Sequence, residues 1–98
     1  MTAPARTVQE FTTSLSGDEV LKRAKTFFAT RPSIYSAFID KEGPGFCSFR
    51  GQGGEEIVIA TSASPDGKGT RITGSSYLFD MQISRFFATL TPAGGAGQ

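Results

Sequence analysis

Phe11, Thr13 and Leu15 fall on one side of an alternating run, and Glu10, Thr12 and Ser14 fall on the other. This period of two predicts a strand over residues 7–15, TVQEFTTSL. The period then changes. Val20, Leu21, Ala24, Phe27 and Phe28 recur at helical spacing within SGDEVLKRAKTFFATRP, residues 16–32. Ser16 and Glu19 stand three apart as a capping box, each side chain placed to satisfy the other's backbone amide. Asp18 and Glu19 suit the positive end of the helix dipole, and Pro32 ends the helix. Alternation returns in IYSAFIDKE (34–42), FCSFR (46–50), EEIVIATSA (55–63) and TRITG (70–74). GPG (43–45) and SPDGKG (64–69) separate them as turns. A second helical stripe, Phe79, Ile83, Phe86, Phe87 and Leu90, runs through SSYLFDMQISRFFATL (75–90), and Pro92 stops it. Its start has two solutions. Ser75 or Ser76 caps a long helix, or the strand continues to Leu78 and Asp80 caps a shorter one; the longer helix fits the pattern slightly better.

The order β-α-β-β-β-β-α defines an α+β domain. Short turns between successive strands make the sheet antiparallel, with about five strands. Two helices with one apolar stripe each pack on a single face of it. The domain spans 7–90, between flexible tails at 1–6 and 91–98. One sheet face takes Phe11, Leu15, Phe38, Phe49, Ile57, Ile59 and Ile72 under the helices. The other receives Tyr35, Ala37, Ile39, Phe46 and Val58. A one-sided antiparallel sheet normally turns polar residues outward, so an apolar outer face asks for cover.

Composition narrows the range of functions. The 98 residues make one domain, 38% hydrophobic and 19% charged. A domain of this size buries roughly 60–65% of its unfolded surface, so the nine phenylalanines must supply much of a thin core. The net charge of +1 gives no strong pull toward nucleic acid or an anionic membrane. The single cysteine, Cys47, excludes an internal disulfide. MTAPARTVQEF has no apolar run of the signal-peptide kind, and no stretch has the ~18 apolar residues of a membrane span. The expected location is the cytoplasm.

The most motif-like stretch is RGQGGEE, residues 50–56. A phosphate-binding glycine loop works by running into a helix N-terminus. These glycines run into a strand, beside two glutamates that would repel a phosphate, and no Gly-Lys-Ser/Thr follows. The stretch therefore reads as a hairpin turn. Lys22, Arg23 and Lys25 lie off the first helical stripe and read first as a solvated face, second as a docking patch. The chain has no histidine, which removes the commonest general base and metal ligand. Cys47, between Phe46 and Phe49, reads as a small buried hydrophobe rather than a nucleophile. No metal site and no cofactor are expected. A residual enzyme reading would fall on Tyr35, Asp40 or Glu42 as acid or base.

The β-α-β4-α order of residues 7–90 resembles one repeat of the TATA-binding-protein fold. It is also similar to a shortened helix-grip domain of the START and polyketide-cyclase type. The first resemblance implies a curved sheet that grips the DNA minor groove with phenylalanine wedges. The second implies an apolar cavity between helix and sheet. Both are resemblances of element order and assign no residue a role.

The expected function is a non-catalytic interaction module that pairs with itself, as a homodimer, or with another protein through the outer sheet face. The candidate residues are Tyr35, Ala37, Ile39, Phe46, Arg50, Val58 and Arg71. One alternative is a carrier or sensor of a small apolar ligand. Another is a weak nucleic-acid binder stacking bases on Tyr35 and Phe46 beside Arg50 and Arg71; the near-neutral charge argues against it.

Overall fold

A computed structural model describes residues 7–31, 36–65, 67–76 and 80–90. The elements are β1 (Thr7–Thr13), α1 (Gly17–Ala29), β2 (Ala37–Gly43), β3 (Phe46–Gly51), β4 (Glu56–Ala63), β5 (Thr70–Ser76) and α2 (Asp80–Phe87). The order is the β-α-β-β-β-β-α read from the pattern. The five strands form one antiparallel sheet in the order β1-β5-β4-β3-β2. Three hairpins link β2 through β5, and α1 carries the chain from one sheet edge, β1, to the other, β2. The tails at 1–6 and 91–98, Tyr35, and Phe79 of the second stripe lie outside the described residues.

The helix starts where its cap is. Ser16 holds extended backbone, and its Oγ accepts from the Glu19 amide at 3.2 Å. The Glu19 carboxylate turns forward instead of back: Arg23 Nε donates to it at 2.9 Å. At the far end the Thr30 amide closes on the Thr26 and Phe27 carbonyls, as does its hydroxyl. Val20, Ala24 and Phe28 are fully buried, with Leu21 and Phe27 packed partly against them. The second helix begins at Asp80 because β5 runs on through Ser76, opposite both Thr7 of β1 and Ile57 of β4. Ser75 and Ser76 are therefore strand residues, and the longer helix is corrected. A strand paired on both sides keeps its ladder, which one more helical turn would break.

Both helices bury their stripes on the same side of the sheet. Phe49, Ile57, Ile59 and Ile72 meet them there with no exposure. The Phe28 ring lies 5.1 Å from Phe49 and 5.5 Å from Phe86, and Phe11 stacks on Phe87 at 5.5 Å. Gly74 on β5 lets α2 come close: a Cβ there would sit 2.7 Å from Ile83 Cγ2 and 3.2 Å from the Phe87 ring.

One strand departs from the expected register. Phe38 pairs with Arg50 and Ile39 with Phe49, so Phe38 shares the outer side and Ile39 the helix side. The alternation had placed them the other way round. Ala37 is fully buried in the core, opposite Gly51. Two small buried residues, Ala37 and Gly51, pair there, and the phase set by that pair turns Phe38 outward. A bulge between Ile39 and Lys41 then shifts the strand again, bringing Glu42 opposite Cys47 on the helix side, where Lys25 Nζ meets it at 2.6 Å.

Two substitutions test this packing by urea unfolding. Phe28→Ala should cost about 3–5 kcal/mol, because it removes the ring shared by both helices and the sheet. Gly74→Ala should cost about 1–3 kcal/mol by overpacking against Ile83. A near-neutral Gly74→Ala would contradict the close seating of α2.

Candidate functional site: the outer sheet face

Cross-strand pairing sorts the uncovered face into rows, because directly opposed residues point the same way. One row is Phe38–Arg50–Glu56. The next is Lys41–Ser48–Val58–Ser75–Val8, followed by Gly43–Phe46–Ala60–Thr73–Glu10. The last is Ser62–Arg71–Thr12. Phe46, Val58 and Ala60 thus form an apolar centre, and the two outermost rows carry charge. Phe38 is 57% exposed, Phe46 37% and Val8 60%. The Phe46 ring lies over Gly43, where a Cβ would collide with it.

The sheet therefore brings together four of the expected residues on this face: Phe46, Val58, Arg50 and Arg71. Ala37 is core, and Ile39, 45% exposed, lies on the helix side at the β2 edge; both are corrected. Tyr35 is outside the described residues. Phe38, Ala60 and Val8 were missed. Val8 was legible, since the alternation that turns Phe11 inward turns Val8 outward. Phe38 was not, because Ala37, Phe38 and Ile39 give three apolar positions in a row and no phase.

Each arginine has acidic company. Arg50 Nη2 lies 3.2 Å from Asp40 Oδ2 and 3.9 Å from Glu56 Oε2. Arg71 Nε lies 3.9 Å from Glu10 Oε1. They occupy rows at opposite ends of the face, so they do not converge on one anion. Exposed pairs of this kind contribute little to stability, but they set a rim of both signs. In the centre, Ser48 is only 3% exposed and its Oγ has no hydrogen-bond partner among the described residues. Such a hydroxyl costs about 1–3 kcal/mol until something pairs with it.

The glycine loop is closed to ligands. The Gly51 amide donates to the Glu55 carbonyl at 2.7 Å, and the Gly54 amide to the Gly51 carbonyl at 3.1 Å. The Gly53 amide, the kind of donor a phosphate would use, is taken by Glu55 Oε1 at 3.0 Å. Arg50 Nη1 donates to the Gly54 carbonyl at 3.0 Å. Gly54 has φ +88°, the left-handed value that this tight connection of β3 to β4 requires.

Chemistry elsewhere is sparse. Cys47 is fully buried on the helix side, and burial pushes its thiol up to about 11, against the pull of Lys25. The Glu42 carboxylate raises the Lys25 ammonium above its usual value. Among the described residues no three metal-ligating side chains cluster. No helix among them is long and apolar enough to cross a membrane. Comparison with protein-family models, curated proteins and solved structures gives no match, so the functional reading rests on this geometry.

The Cys47 thiol gives a direct check. At pH 8 it is neutral and enclosed, so a thiol reagent such as DTNB should leave the folded protein unmodified and react once per chain in denaturant. Rapid labelling of the folded protein would contradict the assigned burial.

Proposed function

We propose that this chain is a non-catalytic, cytoplasmic self-association module that forms a homodimer by stacking its outer sheet face on that of a second copy. The observation that carries this is the arrangement of the face: Phe46, Val58 and Ala60 at the centre, Phe38 and Val8 exposed beside them, and rows of both charge signs outside. An apolar centre within a polar rim is the anatomy of a protein interface. The rim suits a like partner, because each end carries acids and bases together. The net charge of +1 adds almost no repulsion between copies.

Size sets the strength. Five strands about 4.8 Å apart and seven residues long present a face of roughly 20 × 23 Å. That is below the ~800 Å² per partner of a standard interface, so the dimer should be weak, with a dissociation constant on the order of 100 µM. The paired arginines and near-neutral charge support a protein partner over a nucleic acid. The ring cluster that fills the space between helices and sheet supports it over an enclosed ligand.

Sedimentation equilibrium from about 10 µM to about 1 mM brackets that range. The mass should rise from the 10.4 kDa of one chain toward twice that value. Val58→Lys places a cation at the centre of the face and should hold the protein at the single-chain mass, with its urea midpoint nearly unchanged. A native protein that stays at 10.4 kDa throughout, or a Val58→Lys variant that associates as well as the parent, would overturn the reading.

A further inference from the structure

The helix side of the molecule carries a second feature, independent of the sheet face. A solvent-open groove of about 440 Å³ runs along α1 toward the end of α2. Lys22, Arg23, Thr26, Phe27 and Thr30 line it from α1, and Thr89 closes it beyond α2. These α1 positions recur at helical spacing, so they form one continuous flank of the helix. The volume falls in the range of small-molecule sites.

Its polar groups differ in what they have free. Arg23 is committed to Glu19 at 2.9 Å, an interaction that holds the Glu19 carboxyl below its usual range. Lys22 makes no ion pair or hydrogen bond among the described residues, so its ammonium keeps three donors for a ligand. Thr30 Oγ1 donates to the Thr26 and Phe27 carbonyls, at 2.8 and 3.2 Å, and Thr89 Oγ1 donates to the Phe86 carbonyl at 2.6 Å. Both protons are spent inward, so these hydroxyls offer the groove acceptors only. Phe27 supplies the apolar floor. It is half-buried, braced at 5.2 Å by Phe28 and 5.4 Å by Phe86, and the Arg31 guanidinium sits 4.2 Å from its centroid. That cation has a buried Nε without a hydrogen-bond partner among the described residues, and it stands outside the groove's lining.

We propose that this groove binds a small aromatic carboxylate bearing a ring hydroxyl. Lys22 takes the carboxylate, the ring packs against the part of Phe27 that Arg31, Phe28 and Phe86 leave exposed, and a threonine oxygen accepts from the ring hydroxyl. An anion is selected because the lining carries two cations, Lys22 and Arg23, against one acid, Glu19, which Arg23 already neutralises. A donor on the ligand is selected because both closing hydroxyls accept.

A matched pair of probes tests the charge. 3-(4-Hydroxyphenyl)propionate and tyramine share the ring, the hydroxyl and the two-carbon arm, and carry opposite charges. Amide chemical shifts at low salt should show saturable binding of the propionate, with the largest changes at 22–30 and at 89, and no saturable binding of tyramine. Lys22→Gln should weaken the propionate roughly tenfold or more, as expected for losing one charge-assisted hydrogen bond. Phe27→Leu keeps an apolar side chain in the core and should weaken binding while the fold, read from the same spectra, persists. Equal binding of both probes, shifts confined to other surfaces, no binding at millimolar ligand, or an indifferent Lys22→Gln variant would overturn the proposal.

Discussion

The Phe28 ring sits where two helices and the sheet meet, 5.1 Å from Phe49 on β3 and 5.5 Å from Phe86 on α2. Phe27 turns edge-on to it at 5.2 Å and reaches Phe86 at 5.4 Å. A domain of 98 residues has little interior, so most of its burial must come from a few large side chains. Here they gather on one side of the sheet. Ile57, Ile59 and Ile72 complete that layer from below and Ile83 from above. Among the described residues both helices lie on one face and none covers the second, whose centre is Phe46, Val58 and Ala60.

The two faces differ in kind because of what each can do with polar groups. On the covered side, Lys25 and Glu42 meet at the sheet edge, where water still reaches them. Cys47, deeper in, stays neutral. On the open side, the two arginines stay at opposite ends beside carboxylates, Lys41 and Glu10 stand on the edge strands, and the middle holds small and apolar residues, with the Ser48 hydroxyl unpaired among the described residues. The edges are managed differently again. β2 carries a bulge and the charged run Asp40, Lys41 and Glu42, devices that discourage a foreign strand from adding there. Stacking over the face is therefore a more natural association than extension of the sheet at β2.

Much of this was legible in the chain. Ser16 does cap α1, and the stripe Val20, Ala24 and Phe28 is buried as its spacing requires. The glycine-rich RGQGGEE is a turn, closed by its own Glu55. Phe46 and Val58 lie on the outer face as alternation placed them. What failed has a common cause. In Ala37-Phe38-Ile39 every position is apolar, so a period of two has no phase there. The phase is set by the pairing with β3, where buried Ala37 meets buried Gly51. The bulge near Asp40 is a one-residue event in an edge strand and leaves no mark on composition. The start of α2 likewise depended on whether β5 kept partners on both sides through Ser76, a fact about β1 and β4 rather than about local sequence. The groove beside Phe27 was seen only as a basic helix flank, because its closing residue, Thr89, comes from the other end of the chain.

The most direct test of an uncovered face that pairs with itself is a dilution series followed by amide chemical shifts. The account predicts that the amides of Phe46, Ser48, Val58 and Ala60 move together as the protein is diluted, tracing one dissociation curve, while those of Val20, Ala24 and Phe28 in α1 stay fixed. Shifts that do not change with concentration, or changes that map to the helices instead of the sheet, would contradict it.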